Sequence, residues 1–299
     1  MASISEILKN LQQGDVKALA RAITLVENEI TGSISLLEKS NVLNTPVIGI
    51  TGPPGAGKSS LVNSLINLLK QKSKIGVIAV DPSSPFNLGS LLGDRIRLSE
   101  HFNNSNVFIR SIATRGSLGG LSDKIMEITD VMRVFPFDYI FIETVGVGQS
   151  EVEIAGLADT TIVVMVPEAG DEIQTMKAGL MEIADIFVVN KSDHVDADRF
   201  AKNLKSLSAS HMTREWQIPV VKTIVPENEG ITELLTQIQR HQQTDISNLR
   251  RPYLLAEKCW RIIQKEKMKD INKEKLLKDI STLVSDKGFN VYRFARTYT

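Results

Sequence analysis

Residues 47–61 read VIGITGPPGAGKSSL, a short β-branched run followed by a glycine-rich loop and an apolar helical pattern. A triphosphate needs several backbone N–H donors turned towards it, and glycines let the chain curl that tightly because they lack a Cβ. The complete pattern GxxxxGK[ST], placed between a strand and a helix, predicts a phosphate-binding loop rather than an ordinary glycine turn. The predicted nucleotide contacts in this loop are Gly52, Pro53, Pro54, Gly55, Ala56, Gly57, Lys58, Ser59 and Ser60.

The chemistry of such loops gives two side chains particular roles. Lys58 is expected to reach the β- and γ-phosphates and to support catalysis there, and Ser59 is expected to ligate Mg²⁺. The helix that begins near Lys58 points the positive end of its dipole at the anion. The stretch therefore predicts a nucleoside triphosphatase that uses Mg²⁺.

The composition argues against several other classes of protein. Among 299 residues, 35 Lys and Arg balance 35 Asp and Glu, so no global charge favours nucleic acid or an anionic membrane. The single cysteine, Cys259, rules out an internal disulfide framework and a cysteine-based zinc site. The apolar runs are too short to cross a bilayer, and residues 1–16 resemble neither a secretory signal nor a mitochondrial transit peptide. We therefore expect a cytoplasmic protein with no membrane or nucleic-acid partner.

Strand-like runs alternate with helical patterns from residue 46 onwards. Nearly continuous Val and Ile runs are typical of strands buried on both faces, which means a mostly parallel sheet flanked by helices. The predicted strands cover residues 47–51, 75–80, 107–110, 138–143, 160–166, 184–189 and 218–224. The predicted helices between them cover residues 58–71, 94–102, 121–134, 172–181, 196–210 and 230–242. The predicted fold class is therefore α/β, in the manner of a P-loop NTPase.

Helical patterns without strands flank this core at both ends of the chain. The N-terminal pattern, with Asp15 as a helix cap, either packs on the core or binds a partner. After a boundary at Arg250–Pro252, two charge-rich amphipathic helices are predicted at 253–268 and 272–286. They either fold back on the core or pair with a second copy of the chain, and because they have little core of their own, we favour the dimer. The three predicted domains are a helical extension at 1–45, a nucleotide-binding domain at 46–247 and a C-terminal helical dimerisation arm at 248–299.

The second specific pattern is NKxD, present as Asn190, Lys191, Ser192 and Asp193 directly after a predicted strand. Guanine presents N1–H and an exocyclic amine as adjacent donors, and an ionised Asp193 accepts both, whereas adenine has no N1–H. Two charge-assisted hydrogen bonds, worth roughly 1.5 to 3 kcal/mol each, favour GTP over ATP by about two to four orders of magnitude. Lys191 is expected to lie over the purine plane, and Asn190 to tie the segment to the phosphate loop. The predicted nucleotides are therefore GTP and GDP.

The third pattern, ETVG at residues 143–146, also ends a predicted strand. Glu143 is expected to hold Mg²⁺ through water, and the Gly146 N–H to bond to the γ-phosphate, which makes the following loop sensitive to hydrolysis. Most small GTPases have a glutamine directly after this glycine to orient the attacking water. Here Val147 follows and Gln149 lies two residues further on, so we expect slow hydrolysis that a partner or a conformational change accelerates.

Three further charged residues have two possible roles each. Asp81 ends a predicted strand and Asp94 begins a predicted helix, so both suit a cap or a turn as well as a metal site. Mg²⁺ prefers oxygen ligands and retains waters, so one or two carboxylates beside Ser59 suffice, and we favour the metal role for both aspartates. Lys177 either projects towards the nucleotide or is a solvated helix lysine, and the pattern alone favours the solvated role.

These blocks together resemble the MeaB/ArgK-type GTPases, a family that includes the methylmalonic aciduria type A protein, within the class of G proteins named for Glu in place of Asp. The resemblance covers roughly residues 14–245 and includes GPPGAGKSS, VDPSSPF, LLGDRIR, ATRGSLGGLS, ETVGVGQSE and DEIQTMKAGLMEIADIFVVNKSD. It implies a homodimeric, GTP-dependent chaperone that binds an adenosylcobalamin-dependent acyl-CoA mutase, such as methylmalonyl-CoA mutase. Such a chaperone gates cofactor loading and protects or reactivates the mutase.

The same resemblance implies roles for individual residues. Metal and switch positions correspond to Ser59, Asp81, Asp94 and Glu143. Asp171 and Lys177 correspond to a third switch loop that responds to the partner and takes part in catalysis, although Glu168 stands where the family usually has glycine. The loop that supports guanine reads TIV at residues 223–225 in place of Thr-Ser-Ala, so the expected contact to guanine O6 is a backbone N–H at Val225.

Two other functions stay open on the sequence. A nickel-insertion GTPase for hydrogenase or urease needs Cys and His ligands, and one Cys with four dispersed His argues against it. A phosphotransferase acting on arginine or ornithine, an old label for one branch of the family, needs a general base and an acceptor pocket, and no pattern shows them. The leading prediction is a regulatory GTPase that acts on a cobalamin-dependent mutase.

Overall fold

The computed structural model divides the chain into two compact units, Met1–Arg251 and Pro252–Thr299. The larger unit contains the sheet and the smaller one contains helices only, among the residues that are described. The described residues are 3–81, 98–113, 124–146, 153–167, 178–209, 216–244, 246–284 and 289–298.

Seven parallel strands form one sheet in the larger unit. They are β1 (Val47–Thr51), β2 (Ile75–Asp81), β3 (Val107–Ala113), β4 (Tyr139–Glu143), β5 (Thr160–Met165), β6 (Ile186–Asn190) and β7 (Val220–Thr223). Their order across the sheet is β3-β2-β4-β1-β5-β6-β7, and every neighbouring pair is parallel. Every residue of β1, β2, β5 and β6 is buried, which explains the unbroken Val and Ile runs in the sequence. The predicted α/β fold is confirmed.

Helices cover both faces of this sheet. Those described before residue 245 are α1 (Ile4–Gln12), α2 (Val16–Glu27), α3 (Ser33–Glu38), α4 (Lys58–Leu69), α5 (Ile125–Val134), α6 (Ala178–Ile183), α7 (Ala197–Ser208) and α8 (Ile231–Gln242). Because side chains alternate along a strand, Val47 packs with α1, α2 and α5 on one face, while Ile48 and Ile50 pack with α4 and α8 on the other. The sheet therefore holds α4 and the loop before it in place.

The N-terminal pattern forms three helices rather than one long stretch. The Asp15 carboxylate accepts hydrogen bonds from the backbone N–H groups of Lys17 and Ala18, so the predicted cap of α2 is present. Leu19 and Ile23 of α2 are fully buried in the same cluster as residues of α5, and an ion pair joins Glu27 to Arg110 of β3. The N-terminal helices therefore pack on the core, which is one of the two roles that the sequence left open.

The chain after residue 245 differs from the prediction in two respects, because the first helix begins earlier than expected and a third helix follows the two that were predicted. The helices here are α9 (Ile246–Met268), α10 (Lys273–Leu283) and α11 (Val291–Ala295). The helix expected to begin at residue 253 starts at Ile246 and continues through Pro252, so its predicted start is wrong. The boundary expected at Arg250–Pro252 nevertheless coincides with the division between the two compact units. A proline removes one backbone hydrogen bond and often kinks a helix, but a long helix can retain the remaining bonds on either side.

No described side chain between residues 252 and 298 is buried. Several large apolar side chains of α9 are more than half exposed, among them Leu255, Trp260, Ile262 and Ile263. Cys259 lies on this helix and is exposed as well. No helix in the described part of the chain combines the length and apolar character that spanning a membrane requires.

Candidate nucleotide-binding site

The candidate site lies where the carboxyl ends of the parallel strands meet. The glycine-rich loop follows β1, which lies between β4 and β5 in the sheet. Glu143 and Asn190 are the last residues of β4 and β6, and Asp81 is the last residue of β2. All four strands run in the same direction, so these residues reach the same edge of the sheet, which is where ligands bind in open α/β folds.

Lys58 is held against the loop that precedes it. The side chain is only 6% exposed, and Nζ donates to the carbonyl oxygens of Gly52 at 2.8 Å and Pro53 at 3.0 Å. Lys58 is also the first residue of α4, so its backbone N–H is among those at the positive end of the helix. The ammonium group and the helix terminus together form an anion site, in which phosphate oxygens would replace the two carbonyls as partners.

Asn190 joins this loop to Thr223 on the edge strand β7. Its Nδ2 donates to the Ala56 carbonyl at 2.9 Å, and its Oδ1 accepts from the Thr223 hydroxyl at 3.1 Å. This is the link between the NKxD segment and the phosphate loop that the sequence led us to expect. It requires glycine at residue 57, where φ is +88° and a Cβ would lie 2.3 Å from Asn190 Nδ2.

The NKxD segment is anchored from behind and leaves its two recognition side chains exposed. Both the backbone N–H and the hydroxyl of Ser192 donate to the Thr223 carbonyl, at 3.1 Å and 3.0 Å. Lys191 has a left-handed backbone with φ of +55°, and the Lys191 and Asp193 side chains are exposed. The segment therefore has a fixed backbone, and its charged groups are accessible to a base.

A cleft of about 980 Å³ connects the phosphate loop with this segment. Val225 lines it from a 3₁₀ turn, Val225–Glu227, which follows β7. Ile224 and Glu229 lie on either side of this turn and exchange two backbone hydrogen bonds of 3.2 Å. The side chain of Val225 is buried. The lining residues are Gly55, Gly57, Ser59, Ser60, Asn63, Ser64, Asn67, Glu100, Asn190, Lys191, Asp193, His194, Ile224, Val225, Pro226, Glu227 and Asn228.

Two of the predicted metal ligands in the described part of the chain are in direct contact, and a third ends a neighbouring strand. The Ser59 hydroxyl donates to Glu143 Oε1 at 2.5 Å, and both residues are buried. Asp81 is fully buried at the end of β2, where Ala79 pairs with Glu143. Although no three His, Cys, Asp or Glu residues cluster in the described chain, Mg²⁺ needs only one or two carboxylates with waters. The donors present fit that ion.

Gly146 lies directly over the start of the phosphate loop. Its φ is +86°, and a Cβ there would lie 2.3 Å from the Gly52 carbonyl oxygen and 2.5 Å from Lys58 Nζ. Only glycine lets the chain after β4 come this close. The Gly146 backbone is therefore adjacent to the group that we expect to contact the β- and γ-phosphates.

Several predicted residues lie outside the described part of the chain, and their positions stay predictions. They are Asp94, Val147, Gln149, Glu168, Asp171 and Lys177.

The sequence interpretation missed several residues that line the same cleft, among them two asparagines and a glutamate that lie together. Asn63 and Asn67 lie one turn apart on α4, and Glu100 lies on the 3₁₀ turn Ser99–His101. The spacing of four residues between the two asparagines was a usable signal, because it places both amides on one face of the helix that begins at Lys58. Nothing in the sequence indicated that Glu100 would meet them.

A parallel sheet with a phosphate-binding loop after its central strand and an NKxD segment after β6 defines the class of P-loop GTP-binding proteins. The chain belongs to the MeaB family within that class: residues 19–282 match the family described as methylmalonyl Co-A mutase-associated GTPase MeaB. The protein is therefore a GTPase, which converts GTP to GDP and phosphate. The resemblance seen in the sequence blocks is confirmed.

Individual relatives agree with this assignment. A protein of Pyrococcus abyssi named as a GTPase is 48% identical over 270 residues, which cover 88% of this chain and 82% of that protein. GTPase ArgK of Escherichia coli is 38% identical over 247 residues, covering 78% and 74% of the two chains. The mitochondrial methylmalonic aciduria type A homolog of Mus musculus is 34% identical over 281 residues, covering 86% and 68%.

Solved structures show the same fold. The LAO/AO transport system kinase superposes with a TM-score of 0.68 at 26% identity, covering 99% of this chain and 96% of that one. HypB from Helicobacter pylori, solved in complex with nickel, has a TM-score of 0.50 at 16% identity, covering 74% and 95%. The second likeness concerns the fold alone.

Proposed function

We propose that this GTPase is a chaperone of an adenosylcobalamin-dependent acyl-CoA mutase, either methylmalonyl-CoA mutase or a related enzyme. It gates loading of the cofactor and protects or reactivates the mutase. The observation that carries the proposal is the match of residues 19–282 to a family described by its association with that mutase. The name of the mouse relative, which refers to methylmalonic aciduria, supports it.

In this proposal the cleft binds GTP with its phosphates on the glycine-rich loop. Lys58 moves from the Gly52 and Pro53 carbonyls to the β- and γ-phosphate oxygens. Ser59, Asp81, Glu143 and Asp94 hold Mg²⁺ directly or through water, and the ion supplies charge neutralisation on the phosphate oxygens. Guanine binds to Asp193 and to the Val225 backbone N–H.

Hydrolysis is slow without the partner, because the residue that follows Gly146 is Val147 and carries no group that orients water. Asp171 and Lys177 belong to the loop through which the mutase changes the rate. Binding of the mutase therefore has to complete the catalytic arrangement, as partners do for other GTPases.

Phosphate release measured with and without purified mutase tests this function. We expect the mutase to accelerate GTP hydrolysis by at least tenfold, and we expect the acceleration to disappear in Asp193→Asn assayed with GTP. Serum albumin at the same concentration is the matched protein control. An unchanged rate with the mutase, together with no effect of GTP on cobalamin transfer, would refute the chaperone role while leaving GTP hydrolysis intact.

The two alternative functions are additional arms of the same assay. The solved relative named as a transport system kinase favours a test of phosphotransfer to arginine or ornithine. A phosphorylated amino acid in the reaction mixture would replace our proposal. Stoichiometric nickel binding by the purified protein, measured by equilibrium dialysis, would favour nickel insertion instead.

We also propose that the chain has three domains, a helical extension at 1–45, a GTPase domain at 46–247 and a dimerisation arm at 248–299. The support is that the described side chains of the arm are all at least partly exposed, including Trp260 at 58%. Apolar helical surface of this kind is rarely left exposed on a monomer, and an identical arm can cover it.

Light scattering after size exclusion tests the arm. We expect a dimer for the native chain and a monomer for Trp260→Asp, because the charge would have to be buried in the interface. Val195→Asp is the matched control: Val195 is 90% exposed and lies in the larger unit. A native monomer, or a Trp260→Asp dimer as strong as the control, would contradict this arrangement.

A further inference from the structure

Glu100 is held at the wall of the nucleotide cleft by side chains from two elements. Asn67 Nδ2 of α4 donates to Glu100 Oε1 at 3.2 Å, and His101 Nε2 lies 3.3 Å from the same oxygen. His101 is fully buried, and its Nε2 is 2.5 Å from Asn63 Oδ1. Asn63 also forms a hydrogen bond with Glu100, and because an ionised carboxylate only accepts, the Asn63 amide N–H is the donor.

The Glu100 carboxylate is ionised and accessible. Hydrogen bonds from the amides of Asn63 and then Asn67 lower the pKa of Glu100 below its ordinary value. The side chain is nevertheless 54% exposed, and it lines the cleft beside Ser60 and Asn63. An exposed side chain normally samples several rotamers, whereas this one has its charge fixed on the cleft wall by two amides.

Within a bound nucleotide, the group that contacts such a carboxylate has to be a hydrogen-bond donor. Phosphate oxygens are excluded because they carry the same charge. A guanine nucleotide offers two pairs of adjacent donors, the N1–H and amine of the base and the vicinal hydroxyls of the ribose. The two donors of the base are complementary to Asp193. The donors that remain for Glu100 are the hydroxyls of the ribose, which joins the base to the phosphates along the cleft.

We propose that Glu100 accepts hydrogen bonds from the 2′- and 3′-hydroxyls of the ribose and so selects ribonucleotides over deoxyribonucleotides. This inference rests on the proposed GTP site. Acidic side chains bind ribose hydroxyls in the same manner in dinucleotide-binding folds. Asn63 and Asn67 are positioning residues, since they act by fixing the carboxylate.

Calorimetric titration with GDP and with 2′,3′-dideoxy-GDP, both in Mg²⁺, tests the proposal. The native chain is expected to bind GDP about tenfold more tightly, in line with hydrogen bonds to a partly solvated charged group. In Glu100→Ala we expect GDP affinity to fall about tenfold and dideoxy-GDP affinity to stay the same, so that the ratio approaches one.

A second carboxylate in the same cleft provides the control. Glu227 lies on the 3₁₀ turn that carries Val225, and Glu227→Ala should keep the native ratio. Asn67→Ala should lower the ratio by a smaller factor than Glu100→Ala, because the carboxylate remains but is less well fixed. If Asn67 only supported the fold, Asn67→Ala would weaken the binding of GDP and of dideoxy-GDP by the same factor.

The possible failures are distinguishable. Equal binding of the two nucleotides by the native chain, or a native ratio in Glu100→Ala, overturns the ribose contact and leaves the GTP site standing. Loss of both ligands in Glu100→Ala, in a variant whose thermal unfolding is unchanged, also overturns it. No binding of either nucleotide by the native chain refutes the GTP site and the ribose contact together.

Discussion

The two ends of the nucleotide cleft differ in how their polar groups are satisfied. At the phosphate end, Lys58, Ser59 and Glu143 are buried and bonded within the protein. At the base end, Lys191 and Asp193 are exposed, and only the backbone that carries them is fixed. In the proposed GTP site, folding and binding would therefore use the same atoms at the phosphate end, while recognition of the base would depend on side chains that folding does not need. Five substitutions test this contrast.

Lys58→Ala should have the largest effect and should affect both properties. Loss of two contacts between opposite charges, at about 1.5 to 3 kcal/mol each, predicts a fall in GTP affinity of about two to four orders of magnitude. The Gly52 and Pro53 carbonyls lose their donor as well, so we expect about 1 to 2 kcal/mol less stability. Affinity measured by calorimetry and urea unfolding check both parts, with the exposed Lys72→Ala as control. If Lys58→Ala were as stable as Lys72→Ala, the side chain of Lys58 would not contribute to folding, and the two ends of the cleft would not differ in this respect.

Asp193→Asn should change binding alone. We expect GTP affinity to fall by about two to three orders of magnitude as two charge-assisted bonds are lost, and xanthosine triphosphate to bind better than GTP. Stability should stay within about 0.5 kcal/mol, as is usual for exposed positions. The exposed Asp198→Asn is the control. A large loss of stability in Asp193→Asn would show that the base end is also part of the fold.

Gly57→Ala and Gly55→Ala form a matched pair within one loop. Both residues have positive φ, but a Cβ at residue 57 meets Asn190 Nδ2, whereas no atom lies within 4 Å of a Cβ at residue 55. We expect Gly55→Ala to cost about 1 to 2 kcal/mol through backbone strain alone. Gly57→Ala should cost about 1 to 3 kcal/mol more because the bond to Ala56 is lost. Equal costs in urea unfolding would show that the Asn190 link contributes little.

Thr223→Val should have the smallest effect. It removes the hydroxyl that donates to Asn190 Oδ1 in a buried position, so we expect about 1 to 2 kcal/mol less stability and a few-fold weaker GTP binding. Thr236→Val is the control, since its hydroxyl bonds to a carbonyl on the exposed side of α8. If the two variants unfold at the same urea concentration, the buried bond does not stabilise the phosphate end.

Acidification should lower the stability of the folded chain through His101, which contacts Glu100 in the cleft. Burial lowers the pKa of His101, with Lys70 adding to this and Glu100 opposing it. The unfolded chain therefore binds a proton at about pH 6.5 before the folded chain does, and stability falls as the pH drops from there towards the folded pKa. We expect His101→Gln to reduce the dependence of the free energy of unfolding on pH by an amount that corresponds to up to about one proton. An identical slope in unfolding experiments from pH 7 to 5 would contradict it.

Much of this arrangement was predictable because it is local chemistry. The glycine-rich loop, the NKxD segment and Glu143 each combine a buried strand with a polar end, and strand burial is directly visible as Val and Ile runs. The boundary at Arg250–Pro252 coincides with the division between the two compact units, but the helix start predicted at residue 253 was wrong. Proline is a statistical signal for a helix boundary, while α9 is long enough to continue past it. The N-terminal pattern suggested amphipathic helices, and only their contacts with α5 showed what they cover.

The sequence by itself determined the class of protein, the phosphate loop, the NKxD segment and the family, because these depend on residue types at fixed spacing. The tertiary structure alone decided how the parts meet: Asn190 bridges Ala56 and Thr223, and Glu100 is fixed by Asn63 and Asn67. These partners are between 33 and 134 positions apart. Contacts over such separations depend on the packing of whole helices and strands, which no short pattern encodes.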